Sequence, residues 1–185
     1  MKWCMAVDIG TTSVKVSIFT LQGEMVFSTV EEYTLEFPQE EWVEVDTTAY
    51  YKALRRGWQK FLAQQNLHTA EVAFICTSSQ GETLVPVDRL GNPLMKGIVW
   101  LDNRAQKESE ELLQIVDHKT FYQHTGIPEI GPNWPVTKIM WIRNHLREVY
   151  ASTYKFMLAE DLITQKLTGQ FVTNKSVACT SGLFN

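Results

Sequence analysis

The change from apolar to small polar residues near the start constrains this chain's fold more than any other feature. The mostly apolar segment 3–9 is followed by the small polar segment 10–13, and from Val14 onwards apolar residues recur at every second position. Alternation with a period of two is typical of a half-buried β-strand. We therefore predict an antiparallel meander of three strands over residues 3–9, 13–20 and 24–31.

The turn at residues 10–13 has two interpretations. A hairpin turn favours small polar residues for conformational reasons alone. Phosphate binding needs backbone N–H groups, hydroxyls and a cation around a turn that a phosphate can approach closely. The residues here that suit a nucleotide phosphate are Asp8, Gly10, Thr11, Thr12, Ser13 and Lys15. The carboxylate of Asp8 would also suit Mg²⁺. The turn alone leaves both interpretations open.

The composition excludes several classes of partner. The chain has 185 residues, 44% of them hydrophobic and 21% charged, and its net charge is -4. These values are typical of a globular domain and give no electrostatic reason to bind nucleic acid or an anionic membrane. The 3 cysteines match neither a disulfide framework nor a zinc pattern. No apolar run approaches the roughly 18 residues of a membrane span. We expect a cytoplasmic protein without a nucleic-acid or membrane partner.

Later segments alternate between strand and helix signals. Asp46 is a predicted N-cap for a helix whose apolar residues recur at helical spacing up to Phe61. The segment 72–79 is predicted as a buried strand, and 82–88 and 97–102 flank a turn at Leu90-Gly91-Asn92. Further helices are predicted over residues 104–116, 136–146 and 160–169. With no linker in the sequence, these elements predict one α/β domain over residues 1–185.

Four segments resemble known motifs. "DIGTT" resembles the first phosphate motif of the actin-like ATPase superfamily. "SSQGETLVPVDRLGNPLMKGIVWLDNRA", "GPNWPVTKIMWI" and "EDLITQKLTGQFVTNKSVACTSGLF" resemble the sugar-site, pocket-loop and Leu-Thr-Gly segments of FGGY carbohydrate kinases. Because the four segments occur in the family's order over nearly the whole chain, the sequence is identified as similar to the N-terminal domain of an FGGY kinase.

The resemblance implies a fold, an activity and a set of site residues. It implies the actin-like ATPase (ribonuclease H-like) α/β fold, ATP and Mg²⁺ as cofactors, and transfer of the γ-phosphoryl group to a hydroxyl of a sugar or polyol. The family's catalytic Asp lies in a Gly-Asp motif that this chain lacks, so no catalytic residue is assigned and the isolated chain is expected to be inactive. A homodimer is left open. The implied substrate-binding residues are Gln80, Gly81, Glu82, Trp100, Asp102, Arg104, Asn133 and Trp134.

These residue types suit a polyhydroxylated substrate. Glu82 and Asp102 can accept hydrogen bonds, Gln80 and Arg104 can donate them, and indole rings offer flat apolar surfaces. Arg104 could equally be a salt-bridge partner that positions Asp102. A ketopentose, a deoxyketose, a sugar acid and a polyol all remain open as substrates. Two other functions also remain: a non-catalytic sugar-binding or regulatory module, and an actin-like or chaperone-type ATPase without a sugar substrate.

Overall fold

The computed structural model describes residues 2–67 and 70–184. The chain divides into two compact units: unit 1 comprises residues 1–34 and 47–80, and unit 2 comprises residues 35–46 and 81–185. Each unit contains its own four-stranded sheet. Among the described residues, no helix is long and apolar enough to span a membrane.

Unit 1 consists of a mixed sheet and one long helix. Its elements are β1 (Lys2–Ile9), β2 (Ser13–Thr20), β3 (Met25–Glu32), α1 (Thr48–Gln64) and β5 (Glu71–Ser79). The strand order is β3-β2-β1-β5. The first three strands pair antiparallel, as the alternation predicted, whereas β5 pairs parallel with β1. A parallel pairing requires a crossover connection, and α1 lies in that connection.

Helix α1 packs against strands β2 and β3. Phe61 is fully buried and contacts the rings of Trp3 and Phe27 at centroid distances of 5.3 Å and 5.7 Å. Gly57 lets the helix approach the sheet closely, since a Cβ at this position would lie 2.7 Å from Val16 Cγ2. The predicted N-cap at Asp46 is wrong: the N-cap is residue 47, whose side chain makes no capping hydrogen bond.

The strand predicted over residues 72–79 is present as β5, but the prediction that it is buried is wrong. Phe74 is 54% exposed and Ile75 is 38% exposed. The physical reason is position, because helix α1 packs on β2 and β3, whereas β5 lies beyond β1 at the edge of the sheet. An apolar run therefore does not by itself indicate burial within unit 1.

Unit 2 combines a small antiparallel sheet with several helices. Its strands are β4 (Glu44–Val45), β6 (Leu84–Val87), β7 (Gly97–Ile98) and β8 (Lys155–Leu158), in the order β4-β7-β6-β8. Its helices are α2 (Gln106–Leu113), α3 (His118–Thr125), α4 (Pro135–His145), α5 (Arg147–Ser152), α6 (Ala159–Thr168) and α7 (Lys175–Ala178). A buried cluster from sheet and helices forms its main core: Leu84, Ile98, Ala105, Trp141, Ile142 and Leu158.

Local turn and cap chemistry places several of these elements where the sequence predicted them. In the turn after β6, the Asp88 carboxylate accepts the N–H groups of Leu90 and Asn92 at 2.8 Å and 2.9 Å, and Gly91 has a φ of 81°. Helix α6 ends at Gly169, whose φ of 74° is the left-handed conformation that glycine adopts freely.

Candidate functional site

The predicted phosphate residues of unit 1 gather at one end of its sheet. Asp8 lies directly opposite Lys15 on β2 and opposite Ser78 on β5. Cross-strand partners point to the same face of a sheet, so these three side chains stand side by side. All three are exposed. An acidic, a basic and a hydroxyl group therefore lie in a row beside the turn at residues 10–13.

The geometry of the turn explains why residue 10 is a glycine. Its N–H group donates to Ser13 O at 2.9 Å, and a Cβ at residue 10 would lie 3.2 Å from the same oxygen. The Gly10 N–H group is therefore engaged within the turn and is not available to a ligand. Thr12 is exposed, and Thr11 and Ser13 are half-buried. The polar surface of the turn therefore consists of hydroxyl groups.

Within unit 1, a series of contacts through two tyrosines connects Gln80 with the turn at residues 10–13. Gln80 Nε2 donates to the hydroxyl of Tyr50 at 3.2 Å. The Tyr50 ring contacts Tyr33 at 5.2 Å, and the Tyr33 hydroxyl donates to Gly10 O. Burial raises the pKa of both tyrosines above the usual value, so both stay protonated donors. Gln80 Oε1 is buried without a partner among the described residues.

Glu82 in unit 2 occupies a strained turn. Its φ is 49°, and the N–H group of Thr83 donates to Gly81 O at 2.6 Å across it. A non-glycine residue at positive φ costs free energy and is enriched at functional sites. Glu82 is half-buried, and the neighbouring Thr83 Oγ1 is buried without a partner within the described ranges. The turn therefore holds a carboxylate and an unsatisfied hydroxyl at adjacent positions.

Asp102 and Arg104 form a buried ion pair. Asp102 is fully buried, and Arg104 Nη2 and Nε donate to its carboxylate at 2.8 Å and 2.9 Å. The backbone N–H of Val43 donates to Asp102 Oδ2 at 2.6 Å. Arg104 Nη2 also donates to Glu44 at 2.9 Å. The guanidinium is thus engaged by two carboxylates, which is the positioning role that the sequence allowed as an alternative.

Two indole rings fix the guanidinium of Arg104 further. Its Cζ lies 3.9 Å from the ring centroid of Trp42 and 5.0 Å from that of Trp141. Such cation–π contacts stabilise a desolvated guanidinium. Trp141 is buried, and the sequence gave no signal for Trp42. Together, Asp102 and Arg104 are rigid support rather than open hydrogen-bonding groups.

The predicted aromatic platforms differ in accessibility. Trp100 is 38% exposed, and its ring could therefore contact a ligand. Trp134 packs against a second cluster of apolar residues, which favours core packing for its ring. Its Nε1, however, is buried with no partner in the part of the chain that the structure describes. Asn133 is half-buried in the same loop, before helix α4.

Lys138 is the residue that the sequence analysis missed. It is fully buried on helix α4, and its Nζ donates to Val99 O at 2.8 Å. Burial lowers its pKa to about 7, although the nearby charges of Asp102 and Glu82 act in the opposite direction. The signal was present, because Lys138 shares the helical spacing of the buried Trp141 and Ile142. A lysine on the apolar face of a helix places a basic group where apolar side chains are usual.

A metal site is not complete within the described residues. They contain no group of three or more His, Cys, Asp or Glu side chains that could hold a metal ion. Asp8 therefore fits Mg²⁺ only as one ligand among others. This fits the ion's preference for one or two carboxylates together with substrate phosphates and water.

Known proteins resemble the chain along its whole length. It is 30% identical to xylulose kinase of Staphylococcus xylosus and 32% identical to glycerol kinase of Herminiimonas arsenicoxydans, covering 100% of this chain and 38% of each relative. The crystal structure of gluconate kinase from Lactobacillus acidophilus aligns with a TM-score of 0.89 at 26% identity, covering 100% of this chain and 37% of that one. The chain thus spans well under half the length of these relatives.

The profile of the FGGY family of carbohydrate kinases, N-terminal domain, matches residues 3–185. The fold is the actin-like ATPase fold of these kinases, as the resemblance implied. The chain therefore belongs to the FGGY family of carbohydrate kinases.

Proposed function

We propose that this chain provides the phosphate-binding and sugar-binding residues of an ATP-dependent carbohydrate kinase. The reaction is transfer of the γ-phosphoryl group of ATP to a hydroxyl of a sugar or polyol. The observation that carries the proposal is the strained, half-buried Glu82 in unit 2. A carboxylate in this conformation beside an unsatisfied Thr83 hydroxyl is costly for folding alone and suits a polyhydroxylated ligand.

The phosphate-binding half of the proposal rests on unit 1. Lys15 and the hydroxyls of residues 11–13 would bind phosphate oxygens, and Asp8 would hold Mg²⁺ through its carboxylate or an intervening water. Bound Mg²⁺ neutralises charge that develops on the transferred phosphoryl group. The side-by-side register of Asp8 and Lys15 supports this assignment.

The sugar-binding half rests on Glu82, Trp100 and the loop before helix α4. Glu82 would accept hydrogen bonds from substrate hydroxyls, and the ring of the partly exposed Trp100 would contact C–H groups. Trp134 Nε1 would donate a hydrogen bond to a substrate oxygen. Asp102 and Arg104 keep the segment after Trp100 fixed.

The charges of unit 2 favour an uncharged substrate over a sugar acid. Arg104 is engaged by Asp102 and Glu44, and Lys138 is fully buried. Neither side chain is therefore available to a substrate carboxylate, and the acidic Glu82 would disfavour one. We infer a ketose or polyol substrate.

The test is ATP consumption by the complete gene product against a panel of ketoses, polyols and sugar acids. We expect turnover that depends on a ketose or polyol and that exceeds turnover with any sugar acid. Turnover of ATP that no panel member stimulates would favour an ATPase without a sugar substrate. Saturable sugar binding without any ATP turnover would favour a non-catalytic module. Either result would overturn the proposal.

A further inference from the structure

We propose that Tyr33 is a positioning residue for the nucleotide phosphates: it holds the turn at residues 10–13 in the conformation that presents the hydroxyl groups of the turn. This inference rests on the proposed phosphate-binding role of that turn. Tyr33, the turn and helix α1 all belong to unit 1.

The first support is that Tyr33 forms two hydrogen bonds to the turn. Its backbone N–H group donates to Thr12 O at 2.9 Å, and its side-chain hydroxyl donates to Gly10 O. The N–H group of Gly10 donates in its turn to Ser13 O at 2.9 Å, which closes the turn. Tyr33 therefore binds two main-chain carbonyl groups of the turn, one at its start and one near its end.

The second support is the register of the sheet, which places Tyr33 beside the turn. Strands β2 and β3 pair antiparallel, and Ser13 lies opposite Glu32 at the end of their ladder. Tyr33 follows Glu32 directly, so the bond from its N–H group to Thr12 O continues the ladder by one residue. Arg56 Nη2, on helix α1, donates to Glu32 O at 3.0 Å. The main chain that carries Tyr33 is therefore fixed by both the sheet and the helix.

The third support is that ring packing alone would not require a tyrosine at position 33. Tyr33 is half-buried, and its ring contacts the ring of the fully buried Tyr50 at a centroid distance of 5.2 Å and an interplanar angle of 70°. A phenylalanine could make the same edge-to-face contact and would need no hydrogen-bond partner. The hydroxyl of Tyr33 is therefore explained by its bond to Gly10 O in the turn.

These contacts have a consequence for the affinity for ATP. A turn that is already ordered loses little conformational freedom when phosphate binds, whereas a loose turn has to be ordered at the expense of affinity. Asp8 and Lys15 lie opposite each other within the ladder of β1 and β2, so strand pairing fixes both without Tyr33. Loss of the Tyr33 hydroxyl should therefore weaken ATP binding but leave the rate of phosphoryl transfer from bound ATP nearly unchanged.

Steady-state kinetics of the complete gene product test this role in wild type, Tyr33→Phe and Tyr51→Phe, with the panel sugar that gives the highest turnover. Tyr33→Phe keeps the ring and removes the hydroxyl. Tyr51→Phe removes the hydroxyl of another half-buried tyrosine, on helix α1, and is the matched control. We expect Tyr33→Phe to raise the KM for ATP about fivefold, with kcat and the KM for the sugar changed less than about twofold. Tyr51→Phe should match the wild type.

Hydrogen exchange at the amide of Gly10 tests the conformation of the turn without reference to activity. This N–H group donates within the turn, so its exchange rate reports how often the turn opens. We expect it to exchange several-fold faster in Tyr33→Phe than in the wild type. Saturating ATP should slow the exchange in Tyr33→Phe to the rate of the ATP-bound wild type, because bound phosphates then order the turn.

The possible results separate the positioning role from the proposed function. An unchanged exchange rate at Gly10 or an unchanged KM for ATP in Tyr33→Phe would overturn the role of Tyr33 and leave the kinase proposal intact. A fall in kcat without a rise in the KM for ATP would also overturn it, because that is the result of a general loss of folded enzyme. Absence of sugar-stimulated ATP turnover in the wild type would instead overturn the proposed function.

Discussion

At the scale of single residues, this chain places charges where folding alone would not favour them. Lys138 is fully buried, Asp102 is fully buried, and Glu82 has a positive φ. Each feature lowers the stability that an apolar residue or a glycine would give at the same position. All three belong to the segments assigned to the sugar site, which is where a function would justify their cost.

Replacing Glu82 should separate binding from stability. A charge-assisted hydrogen bond contributes roughly 1.5 to 3 kcal/mol, so Glu82→Ala should weaken sugar binding at least tenfold while ATP binding stays unchanged. Calorimetry on the complete gene product measures both affinities. Glu111→Ala, at an exposed position on helix α2, is the control. Glu82→Gly should lose the same affinity yet be at least as stable as Glu82→Ala, because glycine adopts positive φ freely. Unchanged sugar affinity would remove Glu82 from the site.

The pKa of Lys138 predicts a dependence of stability on pH. Its pKa falls from the ordinary 10.5 to about 7 in the folded protein. Between these values the unfolded chain binds the proton that the folded chain has released. The free energy of unfolding should therefore gain a contribution that rises with pH across this window and is lost below about 7. At about 1.4 kcal/mol per pKa unit, the full effect is several kcal/mol.

Urea unfolding at a series of pH values between 7 and 10 measures this contribution as the difference between wild type and Lys138→Met. The difference removes the titrations that the two proteins share. Parallel stability curves for the two proteins would contradict the lowered pKa.

At the scale of elements, helix α1 shows how one glycine sets a packing distance. Gly57→Ala should improve intrinsic helix propensity by about 1 kcal/mol. The added Cβ would lie 2.7 Å and 2.9 Å from two carbons of Val16 on β2. Overpacking of this kind costs typically 1 to 3 kcal/mol. We expect net destabilisation, measured by urea unfolding, whereas Arg55→Ala on the exposed face of α1 should be nearly neutral. A stabilised Gly57→Ala would show that helix and sheet can separate without cost.

Elements with strong local signals could be predicted from the sequence. The meander β1–β3 follows from alternation, and the ends of the turn after β6 and of helix α6 follow from Gly91 and Gly169. Strands β4 and β8, with 2 and 4 residues, were missed because their pairing is set by tertiary contacts. The exposure of β5 was missed for the same reason, since sheet order is not encoded in one strand's hydrophobicity.

The candidate site was predictable in its residue types more than in their roles. Motif resemblance indicated Glu82, Trp100 and Asp102, but the engagement of Arg104 depends on Glu44 and Trp42, which lie 60 or more positions earlier in the chain. Lys138 could have been found from its helical spacing. Its partner Val99, 39 positions earlier, could not, because a backbone carbonyl has no sequence signal.

At the scale of the whole molecule, the residues proposed for the two reactants belong to different compact units. The phosphate residues from Asp8 to Lys15 lie in unit 1, and Glu82, Trp100 and Trp134 lie in unit 2. The chain passes from one unit to the other between Gln80 and Gly81. This division predicts that the two sets of residues can be impaired separately.

The most direct test of the whole account compares two single variants of the complete gene product, Asp8→Asn and Glu82→Ala. Asp8→Asn should lower kcat about a hundredfold or more, because Mg²⁺ and the phosphates are held less well, while sugar affinity stays unchanged. Glu24→Gln, in the exposed turn after β2, is the matched control. Glu82→Ala should weaken sugar binding and leave ATP affinity unchanged. Wild-type turnover in Asp8→Asn, or equal losses of sugar and ATP affinity in both variants, would contradict the assignment of the two sites.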